Sequence, residues 1–226
     1  MPTQEKPILM SGPMVRAILE GRKTQTRRVV KWPRAAQLCG RSPLPDDERT
    51  FADGQSDNQY LHCAYGGGDL GKDVISLRES CPQGQPGDTL WVKEKYALRL
   101  DVDWREYPEK AAQYCLYKGT GDPADELNFH QYGPWRSGRF MPRCVCRLFL
   151  RIKTVRVERL QEISGDDAAA EGVMWKHDHA QDMPQGNRDN WNRVAFMQLW
   201  DSINAKCGYS WASNPWVWVI EFENAE

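Results

Sequence analysis

The residues best suited to chemistry lie in one octet, Gly-Arg-Lys-Thr-Gln-Thr-Arg-Arg, at residues 21–28. It places the amine of Lys23 three positions before the hydroxyl of Thr26, with Arg27 and Arg28 directly after it. A threonine hydroxyl attacks a carbonyl when a neighbouring base takes its proton, and cations stabilise the negative charge that develops. The octet therefore predicts either a nucleophilic site or an anion-binding site.

The octet follows a predicted helix and opens a predicted strand. Ser11 is typical of a helix N-cap, Pro13 of the first helical position, and Gly21 of a helix end. Apolar residues at helical spacing support the helix: Met14, Ile18 and Leu19. Residues 23–30 are predicted to form a strand. The reactive side chains thus lie in a short connection where they can converge.

Size and charge favour a single domain that carries insertions and has a localised basic face. The chain has 226 residues and 26.0 kDa, enough for a self-sufficient core. A net charge of −1 excludes bulk attraction to a polyanion. Basic residues nevertheless gather in segments 16–41 and 136–159, each with eight Lys or Arg against one acid. These segments form either an anion-binding face or ordinary surface charges paired across the fold.

Targeting signals and cysteine usage indicate the compartment. The chain has no run of about eighteen apolar residues, and its amino terminus lacks the apolar stretch of a secretion signal. Its seven cysteines lack the density and pattern of a disulfide framework. We therefore expect a soluble, cytoplasmic protein without disulfides and without a membrane partner.

Later strands are predicted from their apolar patterns. Residues 89–94 form a strand after a Pro-Gly-Asp turn. The strand at 147–157 changes its apolar parity near Thr154, which predicts a β-bulge that bends it. The nearly continuous apolar run at 216–222 predicts a central strand buried on both faces.

Two helices and two polar segments complete the predicted elements. Ser164 and Asp167 have the spacing of a capping box for a short helix, and a longer amphipathic helix is predicted over 189–205. Residues 34–85 are mostly irregular, with strand-like pieces at 60–65 and 73–77, and residues 99–138 are predicted to be loop with little regular structure. Together the elements indicate an α+β fold around a bent β-barrel.

Four patches, in this order, resemble the ASCH domain family: residues 13–28, 86–92, 147–172 and 216–223. The resemblance covers about half of the chain, which is similar to the larger members carried by bacteriophages and prophages. It implies a PUA-like bent β-barrel, the ASCH fold, with flanking helices. It also implies a single domain over 1–226 with long loop insertions at about 34–85, 99–138 and 174–190.

The resemblance further implies an activity. A metal-independent amidohydrolase of this type removes an acyl group from the exocyclic amine of a modified cytidine nucleoside or nucleotide, with no cofactor. The family's catalytic lysine, threonine and glutamate fall on Lys23, Thr26 and Glu171. On the residues alone, these three are equally well explained as a surface lysine, a strand residue and a helix-end carboxylate.

Two assignments of the base stay open. If burial and the neighbouring arginines lower the pKa of Lys23, it activates Thr26 and Glu171 protonates the leaving amine. If the carboxylate dominates, Glu171 activates the hydroxyl or a water, and Lys23 stabilises the oxyanion. A regular strand places Lys23 and Thr26 on opposite faces, so their joint action requires an irregular backbone.

A nucleobase substrate needs an aromatic face, and its ribose or phosphate needs polar and cationic contacts. The candidates near the family-like patches are Arg27, Arg28, Trp91, Tyr96, Trp135 and Arg143. The predicted partner is a modified nucleoside or nucleotide, or single-stranded RNA or DNA. The alternatives to this hydrolase are a non-catalytic RNA- or DNA-binding module and a nuclease that uses the same basic cleft.

Two further motifs give weaker signals. Cys144 and Cys146, with His177 and His179, offer four zinc ligands, but structural zinc pairs usually have about two to four intervening residues. The glycine-rich segment 66–71 matches the dinucleotide fingerprint, yet a strand rather than a helix is predicted after it. We therefore predict no metal and no cofactor.

Overall fold

The computed structural model describes residues 3–31, 51–52, 60–62, 74–76, 81–120, 131–173 and 185–225. The strands in these residues are β1 (Glu5–Leu9), β2 (Gln25–Val29), β3 (Phe51–Ala52), β4 (Tyr60–His62), β5 (Val74–Ser76), β6 (Thr89–Lys93), β7 (Tyr96–Leu98), β8 (Cys115–Tyr117), β9 (Phe149–Arg159) and β10 (Trp216–Asn224). The α-helices are α1 (Gly12–Leu19), α2 (Gly165–Ala170) and α3 (Gln185–Asn204). This mixture confirms the α+β class.

A five-stranded mixed sheet carries the site, in the order β1-β6-β9-β10-β2. β1 runs parallel to β6, and the other neighbours are antiparallel. Among the described residues, the outer strands β1 and β2 are joined by a side chain, since Nη2 of Arg28 donates to the Leu9 carbonyl at 2.8 Å. The helix α1, which links them, buries Val15 and Ile18 in the core. In the described residues, β1 and β2 are the two edges of the sheet and do not pair with each other. The sheet is therefore open, and the closed barrel that the sequence predicts is not formed.

β10 is the buried central strand that the sequence predicts. Its Trp218, Ile220 and Phe222 belong to one apolar cluster, whereas Val217 and Val219 belong to another. Successive side chains of a strand point to opposite faces, so β10 has a core on both sides. The first cluster also contains residues of α1, β6 and β9, and the second contains residues of α2 and α3.

β9 carries the predicted bulge. Glu221 pairs with Thr154 but the next residue, Phe222, pairs with Ile152, so Lys153 is the extra residue of β9. The apolar parity changes across this point, because Ile152 and Val157 are both buried although they are an odd number of positions apart. The bulge next to Thr154 is confirmed.

The insertion at about 99–138 has more regular structure than predicted. β8 pairs antiparallel with β7, and a 3-10 helix at Pro108–Tyr114 precedes it. Cys115 and Tyr117 are buried with Tyr96 in an apolar cluster of their own, which we call the second core. The expectation of loop is wrong here because a three-residue strand is too short for its alternation to be recognised.

The helices after β9 match their sequence signals. The Ser164 hydroxyl accepts a hydrogen bond from the Asp167 amide, and the Asp167 carboxylate accepts one from the Ser164 amide, which confirms the capping box. α3 begins at Gln185 rather than at 189, and it buries Phe196 and Trp200. In the part of the chain that the structure describes, no helix combines the length and apolar character needed to cross a membrane.

Other strand predictions need correction or fall outside the described ranges. The sequence does not predict β1, in which Ile8 is the single buried residue. β2 begins at Gln25 rather than at Lys23, because Lys23 forms only an isolated bridge. β4 and β5 lie within the predicted strand pieces and pair antiparallel, whereas the glycine-rich segment 66–71 lies outside the described residues.

Candidate functional site

Lys23 and Glu171 form a buried ion pair. The Nζ atom lies 2.7 Å from Oε2, and the two side chains are 0% and 6% exposed. Lys23 follows the end of α1, and Glu171 caps the carboxyl end of α2. The two residues face each other in an isolated antiparallel bridge. The structure therefore brings together two of the three predicted catalytic residues.

Gly172 sets how closely these two segments approach. Its φ is +81°, and a Cβ there would lie 2.8 Å from Cβ of Ala17 and 2.9 Å from Cβ of Lys23. Cβ atoms essentially never come so close, and a left-handed φ disfavours any L side chain. Glycine at this position lets the Glu171 backbone lie directly against Lys23.

Gly172→Ala is expected to lower the free energy of unfolding by about 2–6 kcal/mol, because backbone strain and overpacking each cost roughly 1–3 kcal/mol. Urea denaturation measures it. Gly208→Ala is the matched control, since Gly208 has a φ of +86° but nothing within 4 Å of the added Cβ. The control should lose only the strain contribution. Equal losses in the two variants would contradict the close approach to Lys23.

The ammonium of Lys23 is fully hydrogen-bonded. Nζ donates to the backbone oxygens of Gln25 and Glu171, each at 2.8 Å, and to Oε2 of Glu171 at 2.7 Å. An ammonium has three protons, so each proton has an acceptor. Burial lowers the pKa of Lys23; the Glu171 carboxylate opposes this shift, and Arg28 and Arg27 add to it. The three acceptors stabilise the charged form.

Arg27 connects Glu171 to two further carboxylates. Its Nη1 lies 3.4 Å from Oε1 of Glu171, and its Nη2 lies 3.1 Å from Glu158 and 3.3 Å from Asp167. The Arg27 side chain is 0% exposed. Both oxygens of the Glu171 carboxylate thus have a cation beside them, Lys23 on one and Arg27 on the other. These contacts fix the orientation of the carboxylate.

Thr26 and Glu171 line a cavity of about 80 Å³ between β2 and α3, which we call the β2–α3 cavity. Its apolar lining comes from Met14, Val29, Phe196, Leu199, Trp200 and Ile203. Among the described residues, none is hydrogen-bonded to the Thr26 hydroxyl. This hydroxyl is therefore available to a ligand in the cavity.

Arg28 lines the same cavity. Its Nη2 is bonded to the Leu9 carbonyl and lies 3.6 Å from Sδ of Met10. Its Nε is buried and has no partner among the residues that the structure describes. Burial lowers the pKa of Arg28, and Glu171 opposes that shift. A buried donor without an acceptor costs about 1–3 kcal/mol, so Nε is suited to a ligand oxygen.

Lys23 and Thr26 line different cavities. Lys23 lies on a larger, more open cavity of about 550 Å³, together with Thr24 and Gln25. Its acidic lining comes from Asp166, Asp167, Glu221 and Glu223. Because the Lys23 protons all go to Gln25 and Glu171, the amine is not hydrogen-bonded to the Thr26 hydroxyl. Glu171 is the residue that reaches from Lys23 to the cavity of Thr26.

Arg27 and Arg28 line the β2–α3 cavity. The other predicted substrate-binding residues line neither cavity: Trp91, Tyr96, Trp135 and Arg143. Tyr96 is 2% exposed in the second core, and burial raises the pKa of its phenol. The ring of Trp135 lies 5.3 Å from Nζ of Lys118. The structure therefore does not bring these four to the catalytic candidates.

Gln25 is a buried residue of the site that no sequence motif identifies. Its Nε2 donates to the backbone oxygen of Asp167 at 2.9 Å and to Oδ1 at 3.0 Å. Although burial raises the pKa of Asp167, the bonds from Gln25 and Arg27 hold it below its usual value. Lys23, Gln25 and Arg27 are alternate residues, and alternate residues of a strand lie on the same face. This alternation is the sequence signal that could have identified Gln25.

The zinc alternative finds no support in the described residues, which contain no cluster of three or more metal ligands. Cys146 is buried, and its Sγ lies 3.4 Å and 3.3 Å from the backbone oxygens of Val92 and Leu148, either of which can accept its one proton. Cys144 is half-buried. His177 and His179 lie outside the described residues.

Comparison with known proteins gives no relative for this site. No family model, no curated protein and no solved structure matches the chain. What the site does therefore rests on the contacts around Lys23, Thr26 and Glu171.

Proposed function

We propose that this chain is a metal-independent amidohydrolase that releases an acyl group from the exocyclic amine of a modified cytidine nucleoside or nucleotide. The observation that carries the proposal is the position of Glu171, held by Lys23 and Arg27 and lining the cavity of the Thr26 hydroxyl. A fixed carboxylate, an unengaged hydroxyl and the guanidinium of Arg28 provide a base, a nucleophile and an oxyanion donor. All are side chains, so the reaction needs no cofactor.

Glu171 rather than Lys23 is the base in this proposal. A neutral amine acts as a base through its lone pair, and the ammonium of Lys23 has acceptors on all three protons. Glu171 reaches the β2–α3 cavity, whereas Lys23 does not line it. This supports the second of the two assignments, with one change: Arg28 replaces Lys23 as the oxyanion donor.

The chemical steps follow from these roles. Glu171 takes the proton of the Thr26 hydroxyl while the hydroxyl oxygen attacks the acyl carbon. The carbonyl oxygen becomes an oxyanion that accepts a hydrogen bond from Nε of Arg28. The C–N bond then breaks, and the proton on Glu171 passes to the departing cytidine amine. A water activated by Glu171 hydrolyses the threonine ester and releases the acyl group as a carboxylic acid.

The β2–α3 cavity is matched to the acyl group rather than to a whole nucleoside. Its volume of about 80 Å³ is below the roughly 300–1,000 Å³ typical of small-molecule pockets. Phe196, Leu199 and Trp200 of α3 form its wall. In the proposed reaction, α3 shifts to admit the pyrimidine ring while the acyl group enters between Thr26 and Arg28.

The test is a mass-spectrometric screen of N4-acylated cytidines with different acyl groups. The wild-type chain should release cytidine and the free acid from at least one of them. Thr26→Val, which keeps the shape but removes the hydroxyl, should lose about two or more orders of magnitude in rate. Thr24→Val removes an exposed hydroxyl two positions away and should retain activity. No release from any member of the panel would overturn the proposal.

Membership of the ASCH family, its PUA-like fold and a cytoplasmic location belong to the same proposal. The location is proposed from the cysteine usage alone, and the support for the family is spatial. The four family-like patches lie on α1 and β2, on β6, on β9 and α2, and on β10. The strands among them are consecutive in the sheet order β6-β9-β10-β2. Residues far apart in the chain thus form one side of the fold, with Lys23 and Glu171 on it.

A further inference from the structure

Phe140 is the most exposed large apolar side chain among the described residues, at 75%. It lies on a 3-10 turn that is held in place on both sides. A Cβ on Gly138 would lie 2.8 Å from the Glu94 backbone, so this turn packs directly on the chain after β6. Met141 is 2% exposed, and the Tyr96 hydroxyl donates to the Phe140 carbonyl at 3.3 Å. The exposed ring is therefore presented by a firmly packed segment.

Cations and a second aromatic ring lie beside this turn. Nζ of Lys93 donates to the Arg139 carbonyl at 2.5 Å and lies 5.4 Å from the centre of the Trp91 ring. Leu9, which is 47% exposed, is opposite Lys93 in the register of β1 and β6. Arg139 itself is exposed. Basic and apolar groups thus alternate over a short distance.

Arg143 extends the same area across the sheet. Its guanidinium lies 4.2 Å from the centre of the Phe149 ring and is bonded to Glu5 at 2.8 and 2.9 Å. Phe149 is opposite Trp91 in the pairing of β6 and β9. We call the whole area the aromatic-basic surface, formed by Leu9, Trp91, Lys93, Arg139, Phe140 and Arg143.

The aromatic-basic surface adjoins the β2–α3 cavity. The carbonyl of Leu9, on the surface, accepts the hydrogen bond from Arg28, which lines the cavity. The surface carries three cations against the one carboxylate of Glu5, in a chain whose net charge is −1. Its positive charge is therefore a local property of this area.

We propose that the aromatic-basic surface binds a short stretch of single-stranded nucleic acid and leads it to the β2–α3 cavity. Unpaired bases stack on exposed aromatic rings, and phosphates bind the cations between them. A duplex keeps its bases stacked on each other and gains little from Phe140. Binding to the surface goes beyond the hydrolase; that a modified cytidine in the strand is the substrate rests on the proposed function.

The test is fluorescence anisotropy with a labelled, unmodified dodecanucleotide, as single-stranded RNA, single-stranded DNA and duplex DNA. The wild-type chain should bind a single strand more tightly than the duplex, and the RNA and DNA arms identify which nucleic acid is preferred. Phe140→Ala should weaken binding about 5- to 150-fold, the equivalent of one stacked base. Arg139→Ala should reduce the slope of log affinity against log salt by about 0.7.

Matched controls lie outside the surface. Leu100→Ala removes an apolar side chain that is 66% exposed, and Lys206→Ala removes an exposed cation beyond α3. Both should bind the single strand as the wild type does. Absence of single-strand binding, preference for the duplex, or wild-type affinity in Phe140→Ala would overturn the proposal.

A second measurement separates this proposal from the hydrolase. The anisotropy test uses unmodified strands, so its outcome does not depend on acyl release. Turnover is then compared between an acylcytidine nucleoside and an oligonucleotide that contains the same base. Turnover of the nucleoside alone would overturn delivery by the surface and leave the hydrolase standing. Phe140-dependent binding without turnover of either substrate would overturn the hydrolase and leave the surface standing.

Discussion

Glu171→Gln is expected to reduce the rate of acyl release by about 10²- to 10⁴-fold, the usual contribution of a general base. Glutamine has nearly the same shape, and its side-chain oxygen still accepts the hydrogen bond that Lys23 donates at 2.7 Å. The amide cannot take the proton of the Thr26 hydroxyl. The measurement is kcat/KM for the acylcytidine that the wild-type chain hydrolyses best, with circular dichroism to verify that the variant is folded.

The matched control is Glu158→Gln. Glu158 also pairs with Arg27, at 3.1 Å, but it does not line the β2–α3 cavity. The Glu158→Gln substitution also removes one negative charge beside Arg27, but it leaves the proposed base in place. It should therefore reduce activity far less than Glu171→Gln does. Full acyl release by folded Glu171→Gln would show that Glu171 is not the base. Equal losses of kcat/KM in the two variants would show that activity depends on the negative charge around Arg27 and not on proton transfer to Glu171.

Local signals in the sequence predict the elements that carry the site. Gly21, with a φ of +71°, ends α1 as its residue type predicts. Ser11 occupies the N-cap position, but its side chain makes no capping hydrogen bond, and the helix begins one residue before Pro13. The capping box that begins at Ser164 defines α2. The change of parity near Thr154 predicts the bulge because alternation follows from strand geometry alone.

Tertiary contacts explain what the sequence leaves open. Lys23 sits in a basic octet and is equally well explained by sequence as a surface residue, yet its ammonium donates a hydrogen bond in the interior to Glu171, 148 positions away. The wall of the β2–α3 cavity that α3 provides depends on the packing of α3 against α2. The two helices are so close that a Cβ on Gly165 would lie 2.3 Å from Cα of Asp189. Neither contact leaves a local pattern, because the partner segments are far apart in the chain.

Replacing both members of the Lys23–Glu171 pair is expected to destabilise the fold by less than the sum of the two single replacements. Lys23→Met leaves the Glu171 carboxylate with Arg27 as its remaining cation, and Glu171→Met leaves a buried ammonium. Glu171→Met should lose about 3–5 kcal/mol of unfolding free energy, because an uncompensated ammonium stays buried. Lys23→Met should lose less, because Arg27 still lies 3.4 Å from Oε1 of Glu171. The double variant buries two apolar side chains and should lose no more than the worse single variant. Additive losses in urea denaturation would contradict the coupling.

The pH dependence of stability tests the same pair independently. Burial lowers the pKa of Lys23 below 10.5, so between that lowered value and 10.5 the folded chain binds fewer protons at Lys23 than the unfolded chain. The unfolding free energy should therefore rise with pH across this window, by at most about 1.4 kcal/mol per pH unit, and Lys23 adds no slope below it. Lys23→Met removes this rise. The stability difference between wild type and Lys23→Met should shift in favour of the wild type as pH increases towards 10.5, whereas a constant difference would mean that Lys23 titrates as it does in water.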